Sequence, residues 1–524
     1  MTMKRPTLLV VLGLLTAAVA LAQPQGRVLW SAEGNDGIYS LVTIPDVNGD
    51  ARPDVVAAIY YSAYPSDPRK AYCLSGADGD TLWVNRTAYG TWGNKALDAS
   101  PDLNGDGYAD ALLGTSGTYI PPGRACVAIS GFDGSNLWIN SPFPQDTWGW
   151  VYSVRSFVDV NGDTVPEAIA GTGGVTNDPS GHVVLISGRT GATLWTFRVP
   201  LDGCGSVAPF VDVNGDSVPE VLAGAYGNST DNNVYCISGA NGAQVWSHQR
   251  TASVSDVKSI ADVNASGRDD CVGGGWDHYV YCLEGGTGAQ IWQVQPAGSS
   301  IIMELAPIRD VNADGIDDVV VGSWNSNVYV LSGLNGSTLW SGAVGSDVWA
   351  VDTLADVSGD GVPEVIAGCL GDGNGSVRVF SGADGQALWY YNFTERVYDV
   401  TGAPDLDGDG RADVLVGLQD HENLPGHIYC LSGTASALSD EPPAGPPEML
   451  DVRCAAGRLL IAAAPTPLQL RVFDPAGRLV AGRVFAPSDH PRTVELRDLV
   501  DGSGTYFVDC ESGGRKAALK AVAY

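Results

Sequence analysis

The residues of this chain best placed to do chemistry are carboxylates. A nine-residue pattern carries oxygen side chains at positions 1, 3, 5 and 9, and it occurs eight times. The copies are Asp46, Asn48, Asp50 and Asp54; Asp102, Asn104, Asp106 and Asp110; Asp159, Asn161, Asp163 and Glu167; Asp212, Asn214, Asp216 and Glu220; Asp262, Asn264, Ser266 and Asp270; Asp310, Asn312, Asp314 and Asp318; Asp356, Ser358, Asp360 and Glu364; Asp405, Asp407, Asp409 and Asp413. A hard cation such as Ca2+ takes about six to eight oxygens at roughly 2.3–2.6 Å. Side chains at positions 1, 3 and 5 of a tight loop can converge, and Gly at position 4 or 6 permits the turn. Position 7 can add a backbone carbonyl, while the acid at position 9 opens the next strand and clamps the loop to it. Oxygen donors without His or Cys select Ca2+ over Zn2+ or copper, and Mg2+ demands stricter geometry. The loop is too short for an EF-hand and is flanked by strand-like runs. A single copy would read equally well as a metal-free Asx-rich turn. Eight copies that crowd acids together would repel themselves without a cation. The expectation is structural Ca2+, up to eight ions, with the loop holding Ser266 the weakest.

The elements that must position these loops follow from their spacing. Successive copies start 56, 57, 53, 50, 48, 46 and 49 residues apart, a period in the propeller and solenoid range. An apolar run follows each loop, as in Val319–Val321, with Gly at 114, 171, 224, 274, 322, 368 and 417. A second motif, such as Leu74-Ser75-Gly76-Ala77-Asp78-Gly79-Asp80-Thr81-Leu82-Trp83, recurs with its last residue at Trp138, Trp195, Trp246, Trp292, Trp340 and Trp389. Each period reads as four short strands between Gly, Asp and Asn turns; the first set is Tyr39–Ile44, Val55–Tyr60, Ala71–Leu74 and Thr81–Val84. The eighth turn, Ser432-Gly433, lacks its Trp strand, and the missing strand stands at the other end of the chain as Arg27-Val28-Leu29-Trp30. A strand borrowed this way closes a ring and removes an exposed sheet edge; an open solenoid would carry capping repeats instead. The predicted fold is all-β: an eight-bladed β-propeller over 23–433 closed by the N-terminal strand, followed by a small C-terminal β-sandwich.

Composition narrows the function. The chain has 60 acidic against 29 basic residues, a net charge of −31, which disfavours nucleic acid and anionic lipid. Lys4 and Arg5, the apolar run Leu8–Leu21 and Ala20-Leu21-Ala22 read as a secretory signal peptide over 1–22, and no later stretch reaches the roughly 20 apolar residues of a membrane span. That predicts a secreted protein, placed outside the cell or on the outer-membrane surface of a bacterium. The ten Cys contain no C-x-x-C; Cys73, Cys236, Cys282 and Cys430 share one strand position and read as small core residues, while Cys454 and Cys510 could pair. The six His share no spacing, and no nucleophilic, paired-carboxylate or phosphate-cradling set stands above the repeat, so no catalytic residue is nominated.

The loop with its following strand, as in Asp310 to Gly322, resembles the FG-GAP and VCBS-type calcium-loop repeats of integrin α chains and bacterial surface proteins. The second motif, as in Ile186 to Trp195, resembles the tryptophan-docking repeat of eight-bladed quinoprotein dehydrogenases, although Ser187 stands where that family usually has Asp. The resemblance covers about residues 27–433 and implies that the acidic loops lie on one face, with the other connections opposite. Those connections carry Trp92, Trp148, Trp150 and Trp349 before inner strands, and Tyr60, Tyr226, Trp276 and Trp324 after second strands. Aromatics at a propeller mouth suit sugar rings or a peptide; packing between blades is the plainer reading of any one. Lys95, Arg155, Asp256, Lys258, Glu304, Asp352, Arg396 and Asp399 precede or open inner strands, either lining the channel or pairing with one another.

Residues 434–448 form a Pro-rich linker, and 449–524 read as a small Ig-like β-sandwich with strands Leu459–Ala462, Leu468–Phe473, Thr493–Leu496, Thr505–Val508 and Ala517–Val522. Leu470 to Val480, Gly504-Thr505-Tyr506-Phe507-Val508 and Arg515-Lys516 resemble the C-terminal sorting domain of type IX secretion, which implies that machinery as a partner and surface export. The expected function is a non-enzymatic calcium-binding module for a glycan or protein ligand. A polysaccharide lyase of the rhamnogalacturonan-lyase type is the alternative; its usual N-terminal β-domain has no counterpart before Arg27. A quinone-dependent dehydrogenase is less favoured, since no adjacent Cys pair or haem motif occurs.

Overall fold

The structure is a computed structural model that describes residues 25–34, 36–60, 71–86, 90–116, 124–141, 149–174, 180–227, 231–371, 374–419 and 426–435, and beyond these 452–455, 458–461, 468–473, 479–485, 492–495, 500, 504–512 and 515–523. The chain separates into two compact units, Met1–Leu438 and Ser439–Tyr524.

The first unit is built of eight four-stranded antiparallel sheets. Blade 1 runs Ile38–Ile44, Asp54–Ile59, Ala71–Leu74 and Thr81–Asn85 in sheet order. Blades 2 to 7 repeat this order with inner strands Leu97–Ser100, Val151–Ser156, Gly203–Pro209, Val254–Ile260, Ile302–Ile308 and Val348–Leu354. Blade 8 takes Arg396–Ala403, Asp413–Gln419 and His427–Ala435 from the end of the unit and Gly26–Glu33 from its beginning. In that seam Trp30 pairs with Cys430 and Glu33 with His427. Each inner strand contacts the next, and that of blade 8 contacts that of blade 1, so the ring is closed.

Sequence explains which strands lie where. Second strands such as Asp54–Ile59 and Asp318–Ser323 are buried throughout, because a neighbouring blade covers each face. Outer strands such as Thr81–Asn85 alternate exposed and buried, as period-two strands with one wet face do. Cys73, Cys236, Cys282 and Cys430 lie buried among these strands as small core residues.

The blades are bolted by their tryptophans. The indole N–H of Trp83, Trp138, Trp195, Trp246, Trp292, Trp340 and Trp389 donates to the carbonyl of Gly131, Gly188, Gly239, Gly285, Gly333, Gly382 and Gly433 of the next blade, at 2.6–2.8 Å. Trp30 completes the circuit with the carbonyl of Gly76 in blade 1, at 2.7 Å. Glycine is required at these acceptors: a Cβ on Gly76 would stand 1.9 Å from the Pro53 carbonyl oxygen. At the seam Gly26 supplies what the missing eighth turn cannot, since a Cβ there would stand 2.7 Å from Cε3 of Trp389.

The second unit contains two antiparallel sheets: Val452–Ala455, Arg458–Ile461 and Arg492–Glu495 in one, and Leu479–Phe485, Leu468–Phe473, Gly504–Ser512 and Arg515–Ala523, in that order, in the other. Leu459, Ile461, Leu470, Val472, Val508 and Cys510 are buried. The side chain of Cys454 lies outside the described residues, as do the leader 1–22 and residues 436–448 of the linker read as 434–448, whose first two residues end the strand His427–Ala435.

Candidate functional site

All eight acidic loops adopt one backbone form. Positions 4 and 6 are both left-handed in every copy, from Gly49 and Ala51 in the first to Gly408 and Gly410 in the eighth. Ala51, Thr164, Ser217, Ala265 and Ala313 hold this conformation without being glycine, at a cost of about 1–2 kcal/mol each. Side chains offset that cost. In the first loop Asp46 Oδ1 accepts the N–H of Gly49 at 2.6 Å and Oδ2 that of Ala51 at 2.7 Å. Asn48 Oδ1 accepts from Asp50 at 2.9 Å, and Asp50 Oδ1 from Arg52 at 2.8 Å. Asp102, Asp159, Asp212, Asp262, Asp310, Asp356 and Asp405 accept the same position-6 N–H in their loops. These N–H donors outweigh the opposing effect of burial and hold the carboxyls of Asp46, Asp102, Asp159, Asp262 and Asp356 below the ordinary range. In Asp212 the N–H of Gly215 is the main cause of the same lowering.

The position-9 acids are different. Asp54, Asp110, Glu167, Glu220, Asp270, Asp318, Glu364 and Asp413 are fully buried. Burial pushes Asp110, Asp318 and Asp413 up to about 6 and Glu220 to about 7, against the lowering effect of their backbone donors. Each clamps its loop, as Asp54 Oδ2 does by accepting the N–H of Val47 at 2.8 Å. In seven blades a second oxygen takes the N–H of the same glycine whose carbonyl receives the neighbouring tryptophan, for example Asp318 from Gly333 at 3.0 Å. Loop, glycine and tryptophan therefore form one hydrogen-bonded chain across each of these blade boundaries. In blade 4 Glu220 Oε2 is buried without a partner among the described residues. In the eighth loop the ligand atoms of Asp405, Asp407 and Asp413 lie within 4.8 Å of one another.

The opposite face carries aromatics. Ten rings run in an unbroken circle: Tyr39, Tyr60, Trp92, Trp150, Tyr152, Tyr226, Trp276, Trp324, Trp349, Tyr398 and back to Tyr39, with successive centroids 4.2–6.3 Å apart. Every blade contributes. Ring contacts at these distances are favourable in stacked and edge-on forms alike. Packing between blades and display to solvent are thus both present: Tyr39 and Tyr60 are buried, whereas Trp92 and Trp276 are 39% and 37% exposed. Five of the six tryptophans singled out in the sequence belong to the circle; Trp148 lies outside the described residues. Sequence reasoning missed Tyr39, Tyr152 and Tyr398. They stand seven residues ahead of Asp46, Asp159 and Asp405, in register with Trp349 before Asp356, and that offset was the available signal.

Beneath the circle the axis is crossed. Lys95 of blade 2 reaches blade 5, donating to the Ser255 carbonyl at 2.9 Å and pairing with Asp256 at 3.3 Å. Asn94 reaches Glu304 of blade 6 at 3.0 Å. Asp256 also pairs with Lys258 at 3.4 Å; burial alone would raise its carboxyl, but Lys258 and Lys95 outweigh it and hold the group low. Towards the acidic-loop face lies a cavity of about 410 Å³ whose wall includes Asp98, Arg155, Lys258, Glu304, Asp352 and Asp399. Of the channel charges foreseen in the sequence, Arg155, Lys258, Glu304, Asp352 and Asp399 line this cavity, and Lys95 and Lys258 pair with Asp256. Asp98, Asp352 and Asp399 each also accept an N–H from the next inner strand, of Ser156, Gly402 and Leu41 at 2.7–2.9 Å. No cluster for nucleophilic catalysis is seen among the described residues.

Residues 123–318 and 276–411, together more than half of the chain, match the family model described as outer membrane protein assembly factor BamB. No curated protein matches. Among solved structures, Sqt1 of Saccharomyces cerevisiae aligns over 78% of this chain and 100% of its own, with TM-score 0.53 and 11% identity. The computationally designed Ika8 protein aligns over 77% and 99%, with TM-score 0.52 and 16% identity. At such identities these structures are similar in fold alone.

Proposed function

This chain belongs to the family of the outer membrane protein assembly factor BamB, and on that premise we propose that it is a non-enzymatic binding propeller whose ligand face is the aromatic circle. The observation that carries this reading is the continuity of the circle: ten rings from all eight blades meet around one mouth. A core needs no such closure at a surface, whereas a binding face gains from rigid aromatic area that loses little entropy on contact. The ligand is a glycan or an extracellular protein, and an assembly factor of the kind the family name states for BamB would be the protein form of the same reading.

The reading includes Ca2+ on the acidic loops. Its support is chemical: an all-oxygen donor set and two left-handed positions in every copy. When bound, the ion would neutralise the crowded acids and stiffen the loop. The position-9 acid would pass that rigidity through glycine to the docked tryptophan. The reading also includes export by the leader at 1–22, with the C-terminal unit acting as a type IX sorting domain. The strands Gly504–Ser512 and Arg515–Ala523 are consistent with the sequence resemblance that suggested it.

The test is a glycan array and a surface-protein pull-down with the mature protein, run beside an assay for unsaturated uronate products. Retention of a ligand without product formation supports the proposal. Release of unsaturated uronate would establish a lyase instead.

A further inference from the structure

The eighth loop differs from its seven counterparts in what faces it. Arg27, in the closing strand Gly26–Glu33, places Nη2 at 2.7 Å from Asp407 Oδ2 and 4.0 Å from Asp409 Oδ2. Arg52, at position 7 of the first loop, crosses the seam from the other side and places Nη1 at 3.2 Å from Asp405 Oδ1. Positions 1, 3 and 5 of the loop thus each meet a guanidinium. Arg52 lies directly over the loop backbone: a Cβ on Gly408 would stand 1.7 Å from its Nη2. Among the described residues no other acidic loop is paired with two arginines; the third has one, Arg189, at 3.6 Å from Asp163.

Two guanidinium groups carry the same total charge as one divalent ion. They remain charged at any working pH, are weakly hydrated, and offer forked donors that match carboxylate oxygens. An ion entering this loop would have to displace both, or share three carboxylates with two further positive charges. Resting on the calcium reading above, we propose that the eighth loop takes Arg27 and Arg52 in place of an ion, so that ions occupy at most the other seven. The consequence is local. The loop becomes a latch that ties the N-terminal strand, blade 1 and blade 8 together beside the seam between Gly26–Glu33 and His427–Ala435, the one strand pair within a blade that no turn connects.

The experiment counts bound metal on the full mature chain in saturating CaCl2, by native mass spectrometry with elemental analysis. The variant Arg27→Gln/Arg52→Gln should carry one ion more than the wild type. Should that variant not fold, two single changes in otherwise native protein give the same answer. Asp409→Asn in the eighth loop should leave the count unchanged, and Asp106→Asn in the second should lower it by one. Loss of one ion in Asp409→Asn, or an unchanged count in the double arginine variant with ions still bound, would overturn the latch while leaving the calcium reading intact. A wild type and variants that bind no ion at all would overturn both.

Discussion

Closure of the ring by the N-terminal strand makes Trp30 a structural residue of the whole propeller, and its removal has a predictable size. The side chain is 7% exposed, its N–H donates to Gly76 at 2.7 Å, and its ring covers Gly79, where a Cβ would stand 2.6 Å from Cε3. A buried tryptophan removes about 150–250 Å² from water, worth roughly 4–6 kcal/mol at about 25 cal/mol per Å², and truncations of this kind cost about 3–5 kcal/mol in practice. Trp30→Ala should therefore lower the unfolding free energy by about 3–5 kcal/mol. Trp30→Phe keeps most of the area and loses the hydrogen bond, for a cost nearer 1 kcal/mol. The control is Trp246→Ala, which breaks the same dock to Gly285, at 2.6 Å, between blades 4 and 5. In a closed ring the two alanine variants lose similar amounts. In an open array the seam would fray locally and global stability would hardly respond. Equilibrium urea unfolding with linear extrapolation reads the difference. A Trp30→Ala shift below about 1 kcal/mol, beside a full shift for Trp246→Ala, would refute the reasoning.

Other outcomes follow from the same geometry. Chelation should lower the melting temperature, since each ion held at ten times its Kd adds about 1.4 kcal/mol of native stability; differential scanning calorimetry with and without EDTA checks this, and identical traces would contradict it. Burial raises the carboxyls of Asp98, Asp352 and Asp399 around the axial cavity, and for Asp399 the charges of Glu304 and Asp352 add to it. Such groups bind protons more tightly folded than unfolded. Their contribution is full below the ordinary carboxylate range and is lost as pH rises through the raised values. The stability contributed by these groups, measured by urea titration, should thus fall as pH rises above the ordinary carboxylate range, and Asp399→Asn, which keeps an acceptor for the Leu41 N–H, should flatten that fall. Thr164 is β-branched yet left-handed at φ 71°. Thr164→Gly should stabilise by up to about 1 kcal/mol, the relief of about 1–2 kcal/mol being partly offset by the freer unfolded chain; an equal or larger loss of stability would show that the Thr164 side chain has another role.

The ring was legible because its information is periodic. The regular recurrence of the acidic loop from Asp46 to Asp405 and the orphan strand Arg27–Trp30 sufficed to place every blade and the seam. The second left-handed position was not legible in the loops where it is not glycine, because Ala51, Thr164 and Ser217 adopt it through their loops' own hydrogen bonds, which composition does not advertise. Tyr39, Tyr152 and Tyr398 were missed because tyrosine in a strand is ordinary, and only the shared offset to the loops marks them. The strut from Asn94 and Lys95 to blades 5 and 6 joins residues 160 and more apart with no repeat between them. Contacts across an axis leave no trace in a pattern read along the chain. In the second unit Gly482 breaks the apolar alternation of Leu479–Phe485, and that strand went unforeseen.

The most direct measurement compares the wild-type chain with Trp92→Ala/Trp276→Ala, which removes the two most exposed rings of the circle, on the same glycan array and surface-protein pull-down. The variant should melt like the wild type and lose most of the ligand signal. Undiminished binding by the variant would place the ligand elsewhere and contradict the aromatic face as its site.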